Sequence, residues 1–276
     1  MSNVTEMKRL AYEIRIHVLD MLAEHSHGHV GGSLSIADAI AVLYAGVLRH
    51  DPKNPQWEDR DYLVLSKGHC GPALYSALAL RGFFPMDWLY TLNHLGTHLP
   101  SHVDKNLTPG IDMTAGSLGQ GVSCACGMAM GLKLSGKKNT VFAIIGDGEA
   151  QEGQVWETMQ IAPAQKLDNF IIMLDNNKQQ LDDFTDTICP LGDMRRKAED
   201  FGWFALDVDG HDCAAIADAV AQCRAAGKPG FINLRTVKGK GWPEKEAVNG
   251  NHGVKGMDHA MVAGAIEALK AELAAL

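Results

Sequence analysis

Residues 140–183 read TVFAIIGDGEAQEGQVWETMQIAPAQKLDNFIIMLDNNKQQLDD, and this stretch decides the fold. An apolar run at 141–145 stops at Gly146-Asp147-Gly148, and a second at 170–174 stops at Asp175-Asn176-Asn177. Both runs are short, β-rich and continuously apolar, the pattern of strands buried on both faces of a parallel sheet. Residues 152–166 between them have helical composition, so the unit reads strand–turn–helix–strand. Right-handed crossover then brings both strand ends to the same sheet edge. Ligands of open α/β sheets sit outside those carboxyl ends. Asp147 and Asn177 each lie just past such an end. A carboxylate and an amide oxygen meeting there, with backbone carbonyls beside them, make a hard oxygen site suited to Mg²⁺ or Ca²⁺. Mg²⁺ commonly shares its coordination with phosphate, so a diphosphate ligand is expected. Gly146 and Gly148 allow the backbone to come close to it. An isolated G-D-G is first of all a turn signal; the paired Asn-Asn after a second apolar run makes the pattern specific.

Outward from this unit, strand and helix patterns alternate. Residues 5–25 form an amphipathic helix pattern with Leu10, Ile14, Val18 and Met21/Leu22 on one stripe. A Gly- and His-rich loop follows, and Ser35 is expected to cap a helix running to Arg49, with Asp38 near a capping-box position. A strand is expected at 62–65, short helices at 72–82 and 86–93, and a long loop at 94–113, a length that usually signals function. The small-residue segment 116–134 reads as a helix that is deeply buried or at a subunit contact. Residues 184–193 read as loop, 204–208 and 231–237 as strands flanking a helix at 213–226, 238–257 as a Gly-rich covering loop, and 258–275 as a helix. With no repeat and no linker, residues 1–276 read as a single α/β domain, a doubly wound parallel sheet with helices on both faces.

The 276 residues carry a net charge of −8 and are 46% hydrophobic and 21% charged. The acidic balance argues against broad nucleic-acid or anionic-membrane binding. No apolar run reaches the length of about 20 residues that spans a bilayer, and the N-terminus lacks a signal-peptide core, so a cytoplasmic location is expected. Six cysteines occur without a C-x-x-C pair, so reduced thiols are expected and Cys124 and Cys126 read as small packing residues.

There are twelve histidines. His29, His69, His102 and His252 sit in Gly-rich or turn-like loops, where an imidazole can be aimed into a cleft to donate to hydroxyls or move protons near neutral pH. His94, His98 and His102, spaced four apart, would form a zinc face on a helix. Gly96 and especially Pro100 break that helix.

Taken together, these motifs resemble the N-terminal, diphosphate-binding half of transketolase, over about residues 8–256. Beside G-D-G…N-N, the resemblance rests on H-G-H-V-G-G at 27–32, R-D-x-L-V-L-S-K-G-H at 60–69, T-A-G-S-L-G-Q-G at 114–121, E-G-x-x-W-E at 152–157 and the His loop at 249–253. It implies thiamine diphosphate as cofactor, held through Mg²⁺ (with Ca²⁺ or Mn²⁺ able to substitute) by Asp147, Asn177 and the main chain of Gln179. It implies that His69, Gly116, Ser117, Leu118, Gly146, Gly148, Glu149 and His252 surround the cofactor. It also implies that His29 and His102 contact the C1 and C2 oxygens of a ketose donor, and that Glu152 and Glu157 couple paired sites across a subunit interface. The bland alternative for these two is an exposed carboxylate near a helix N-terminus.

The pyrimidine-binding and C-terminal domains of that family, with the glutamate that faces the aminopyrimidine, have no counterpart in these 276 residues. A separate chain carrying them, in an α₂β₂ assembly, is therefore expected, with transfer of a two-carbon ketol group between sugar phosphates as the reaction. The alternatives are another thiamine-diphosphate enzyme of the same layout and a non-catalytic cofactor-binding subunit.

Overall fold

The structure, a computed structural model, describes residues 4–276. In chain order, α1 (Val4–His25) leads into β1 (His27–Gly28), α2 (Gly31–Ser35), α3 (Ala37–Val42) and β2 (Tyr62–Leu65). Then come α4 (Gly71–Leu80), α5 (Gln120–Leu134), β3 (Val141–Gly146), α6 (Gly153–Ala164) and β4 (Phe170–Asn176). The remainder holds α7 (Thr185–Ile188), α8 (Met194–Phe201), β5 (Phe204–Asp209), α9 (Cys213–Ala225), β6 (Gly230–Arg235), β7 (Val254–Lys255) and α10 (His259–Ala274).

Five strands make one parallel sheet in the order β2-β3-β4-β6-β5. Every residue of β3 and β4 is buried, as continuous apolar runs require. Their side chains alternate between two cores. Phe142, Ile144, Ile171 and Met173 pack with α1, α3, α4 and α9, while Val141, Ala143, Ile145, Phe170, Ile172 and Leu174 pack with α5, α6 and α8. Helices therefore cover both faces, as the sequence pattern predicts. The register pairs Gly146 with Asp175, so β3 and β4 end level and the residues that follow them meet at one edge. Each of these strands buries several large apolar side chains, at roughly 1.5–3 kcal/mol apiece. The unit that presents the site is thus fully buried along both strands.

Several local expectations are corrected. Ser35 caps nothing: its hydroxyl donates to Asp175 at 2.6 Å, with the Gly32 carbonyl also within reach at 3.0 Å. The expected helix from Ser35 to Arg49 is instead α2, α3 and a π-turn at Leu43–Val47. Residues Met86–Thr91 form a 3₁₀ turn, and α5 starts at Gln120, behind Gly119 at φ 84°. The 184–193 loop contains α7, and α8 follows it, capped by Asp193 accepting from the Arg196 amide and ended by Gly202 at φ 99°. The covering loop at 238–257 ends in β7, which pairs antiparallel with β1 and ties His27 and Gly28 to the second His loop. On α5, Val122, Ala125 and Ala129 are buried, whereas Gly127 and Gly131 face outward.

Candidate functional site

A cavity of about 350 Å³ opens at the carboxyl ends of β3 and β4, lined by residues from six separate segments of the chain. Asp147 lies at its floor. One carboxylate oxygen accepts from the Gly148 amide at 2.8 Å; the other, Oδ2, is buried and has no hydrogen-bond partner among the described residues. Burial and the neighbouring Asp175 carboxylate push Asp147 up to about 7. A buried carboxylate oxygen left unpaired is costly unless a cation completes it.

Asn177 stands opposite, its side-chain amide donating to Asp175 at 2.9 Å and its Oδ1 accepting from the Gln179 amide at 3.0 Å. Asp175 thereby decides which end of the Asn177 amide is acceptor. That carboxylate is itself fully buried and also accepts from Ser35 (2.6 Å), Lys67 (2.5 Å) and Thr236. Burial disfavours both charges of the Lys67–Asp175 pair, but their mutual attraction holds Lys67 above and Asp175 below their ordinary values. The Gln179 carbonyl faces Lys238 Nζ at 3.4 Å. Oxygen donors from a carboxylate, an amide and a carbonyl suit a hard divalent cation that takes its remaining ligands from a diphosphate. The site thus fits the group. Among the described residues, no cluster of three or more His, Cys, Asp or Glu side chains is arranged to hold a metal.

Beside this floor the four loop histidines come together. The His29 ring centre lies 5.1 Å from His69, 5.5 Å from His102 and 5.3 Å from His252, and His69 lies 5.0 Å from His252. Burial lowers all four, with Lys67 adding to the effect at His69; burial and Lys238 take His252 to about 3. At neutral pH they are uncharged rings, suited to donating to hydroxyl and carbonyl oxygens. The three histidines of the zinc alternative are dispersed. His94 sits near His25 (5.8 Å), His98 stacks on Trp88 (4.3 Å), and His102 joins the cavity.

Gly116, Leu118, Gly146, Gly148, Gln179 and Glu152 also line the cavity. A Cβ at Gly148 would come within 2.7 Å of Gln180 Cβ, so that turn accepts no side chain. Glu149 lines it too, but its carboxylate is taken by Ser66, the Gly119 amide (2.9 Å) and the Gly146 amide (3.1 Å). It fastens three loops to one another. Ser117 and Glu157 do not line the cavity, and both are exposed. Glu152 stands exposed at the rim, immediately before α6.

Among the residues that escaped the sequence reading of the site, four matter most to its electrostatics and lining: Asp175, Lys67, Gln180 and Lys238. Asp175 read as the end of a strand, and Lys67 as part of the S-K-G-H motif. Gln180 and the buried Lys238, whose amine burial and Lys67 lower to about 8, also line the cavity. The signal for Lys67 was a cation two positions before a motif histidine. That for Lys238 was a lysine leaving a strand among glycines.

A doubly wound sheet whose carboxyl edge carries an oxygen-donor site suited to a divalent cation and its diphosphate is the arrangement of a cofactor diphosphate-binding domain. Residues 6–273 match the family model described as "Transketolase, thiamine diphosphate binding domain". The chain belongs to the transketolase family, as its N-terminal, thiamine-diphosphate-binding part. It is 49% identical over 251 residues to a 6-deoxy-6-sulfo-D-fructose transketolase subunit from Clostridium sp. (strain MSTE9), covering 91% of each chain. It is 37% identical to an apulose-4-phosphate transketolase subunit from Actinobacillus succinogenes, covering 86% of each. The crystal structure of transketolase from Campylobacter jejuni superposes with a TM-score of 0.91 at 32% identity, over 97% of this chain and 43% of that one.

Proposed function

We propose that this chain is the diphosphate-binding subunit of a two-chain transketolase, residues 1–276 forming one domain. The pyrimidine-binding and C-terminal domains would lie on a separate chain in a cytoplasmic α₂β₂ assembly. The observation that carries the reading is the buried Oδ2 of Asp147, without a hydrogen-bond partner among the described residues, beside four clustered imidazoles. Relatives that are themselves subunits of about this length support the division into two chains.

Asp147, Asn177 and the Gln179 carbonyl would hold Mg²⁺, for which Ca²⁺ or Mn²⁺ could substitute, beside the cofactor diphosphate. Gly116, Ser117, Leu118, Gly146 and Gly148 let the backbone approach that group; Glu149 braces their loops, and His69 and His252 flank it. Thiamine diphosphate, when bound, supplies the nucleophilic carbon for cleavage of a ketose between C2 and C3 and transfer of the two-carbon ketol group to an aldose. His29 and His102 donate to the C1 and C2 oxygens of the sugar phosphate, where negative charge develops. Their neutrality lets them do so without bringing a fixed charge into the cleft. Glu152, exposed at the rim, and Glu157, exposed further along α6, would face the partner and couple the paired sites. The glutamate that faces the aminopyrimidine comes from the other chain. The 49% identity to the 6-deoxy-6-sulfo-D-fructose transketolase subunit makes a sulfonated ketose the first donor to assay beside ordinary ketose phosphates.

The test is purification of the tagged chain from its native host and weighing of the complex by native mass spectrometry. The expected result is a stoichiometric second chain of similar or somewhat greater length, with ketol transfer by the complex. A lone chain with bound thiamine diphosphate and no transferase activity would overturn the reading in favour of a non-catalytic role.

A further inference from the structure

Outside the cavity, beside a second one of about 280 Å³, the buried Arg15 and Asp38 and the half-buried His211 form a bracket. Asp38 is its centre. The Arg15 guanidinium donates to both oxygens of Asp38, and His211 Nδ1 lies 2.8 Å from Asp38 Oδ2. The Arg15 and Asp38 side chains are 5% and 8% exposed, so water supplies little of their pairing. Each arm then takes hold of the segment leaving β6. The Val237 amide donates to His211 Nε2 at 2.9 Å, and Arg15 Nε donates to the Lys240 carbonyl at 3.1 Å. The segment is thus gripped at residues 237 and 240, with Lys238 between them.

What the segment holds on its inner side is the site. Thr236 donates to Asp175, the carboxylate that orients Asn177. Lys238 points its amine at the Gln179 and Gln180 carbonyls (3.4 and 3.1 Å) and at His252 (3.4 Å). The Lys238 carbonyl accepts from Asn251, next to His252, and the Gly239 amide donates to Gly31 in the loop of His29. The bracket also fixes a tautomer. Because His211 Nε2 accepts the Val237 N–H, it carries a lone pair, so the ring proton is on Nδ1 and donates to Asp38. Arg15 cannot be replaced by a lysine without loss, since one ammonium cannot serve both Asp38 oxygens and the Lys240 carbonyl.

We propose that Arg15, Asp38 and His211 are positioning residues that hold the 237–240 segment from behind and so set Lys238 and the His252 loop against the bound cofactor. This rests on the cavity being the thiamine-diphosphate site. The test uses the assembled enzyme, with thiamine diphosphate and Mg²⁺ binding followed by calorimetry and backbone exchange followed by hydrogen–deuterium mass spectrometry. His211→Leu leaves the Val237 N–H unpaired; it is expected to weaken cofactor binding about tenfold and to speed exchange across residues 236–241. His211→Gln, whose amide oxygen can still accept from Val237, is expected to stay within about threefold of wild type. A purely structural role would instead lower the melting temperature of both variants and leave cofactor affinity unchanged. That result overturns the proposal.

¹⁵N NMR of the wild-type imidazoles reads the bracket without any substitution. A neutral His211 protonated on Nδ1 is expected, and a proton on Nε2 near neutral pH refutes the geometry. Should His211→Leu fail to fold, Arg15→Lys carries the same expectation of weakened binding and faster exchange, and wild-type behaviour in it refutes the bracket. If the wild-type assembly binds no thiamine diphosphate, the cofactor reading fails and this proposal fails with it. If wild type and every variant bind it equally, only this proposal fails.

Discussion

Replacing Asp175 by asparagine keeps its shape and removes its charge. In the folded protein that carboxylate is fully buried, accepts from four side chains and neutralises Lys67 at 2.5 Å, whose own side chain is 3% exposed. An asparagine oxygen can serve at most two of those donors, and its NH₂ turns a donor toward others. Lys67 would be left as a buried cation without its counterion, a change that typically costs about 3–5 kcal/mol. Against a total stability of about 5–15 kcal/mol, this is large, and with a urea slope of about 1–3 kcal/mol per molar it moves the midpoint by roughly 1–5 M. Equilibrium urea unfolding followed by tryptophan fluorescence reads it directly. The double variant Lys67→Met/Asp175→Asn removes the orphaned charge and is expected to regain at least half of the loss. An Asp175→Asn midpoint within about 0.3 M of wild type, or a double variant less stable than the single, would refute the account of Asp175 as the charged keystone of this edge.

Three further expectations concern the site and its surroundings. Asp147→Ala removes the unpartnered oxygen and is expected to reduce Mg²⁺-dependent thiamine diphosphate binding about a hundredfold or more; unchanged affinity by calorimetry would remove Asp147 from the metal site. His102→Ala is expected to lower kcat/KM for the ketose donor about 10- to 1000-fold, with cofactor affinity within about threefold of wild type. Equal donor kinetics would withdraw its role. Asp38 is buried, which disfavours its charge, yet Arg15 and His211 hold it below the ordinary carboxylate range. Its stabilising contribution is therefore complete above the unfolded value of about 4 and is lost as pH falls through the lower folded value. Asp38→Asn should accordingly flatten the acid limb of stability against pH below about 4, measured by urea midpoints, and an unchanged limb would refute the linkage.

Much of this molecule was legible in one dimension because parallel strands and their crossover helices are local objects. The runs ending at Gly146 and Asp175 became level neighbouring strands, so Asp147 and Asn177 met where the pattern placed them. The His-bearing loops also converged, because each follows an element that ends near the same edge. Helix caps were read less well. Ser35 had the chemistry of a cap and was used for a long-range bond instead. Asp193 and Gly202 did bound a helix, α8, that no strong apolar stripe announces, since only Met194 and Ala198 of it are buried.

The sequence by itself determined the alternation of strands and helices, the sheet edge where the cavity opens, and the meeting of Asp147 with Asn177 there. Those follow from periodicity, from turn residues and from the handedness of the crossover, all of which act over a few tens of residues. Only the tertiary structure decided which charges are paired. Lys67 with Asp175, Glu149 with the Gly119 and Gly146 amides, and Asp38 between Arg15 and His211 join residues up to 173 positions apart. No local pattern encodes such a partner. In a buried place a charge is set by whichever group the packing brings within about 3 Å, and packing is a property of the whole chain.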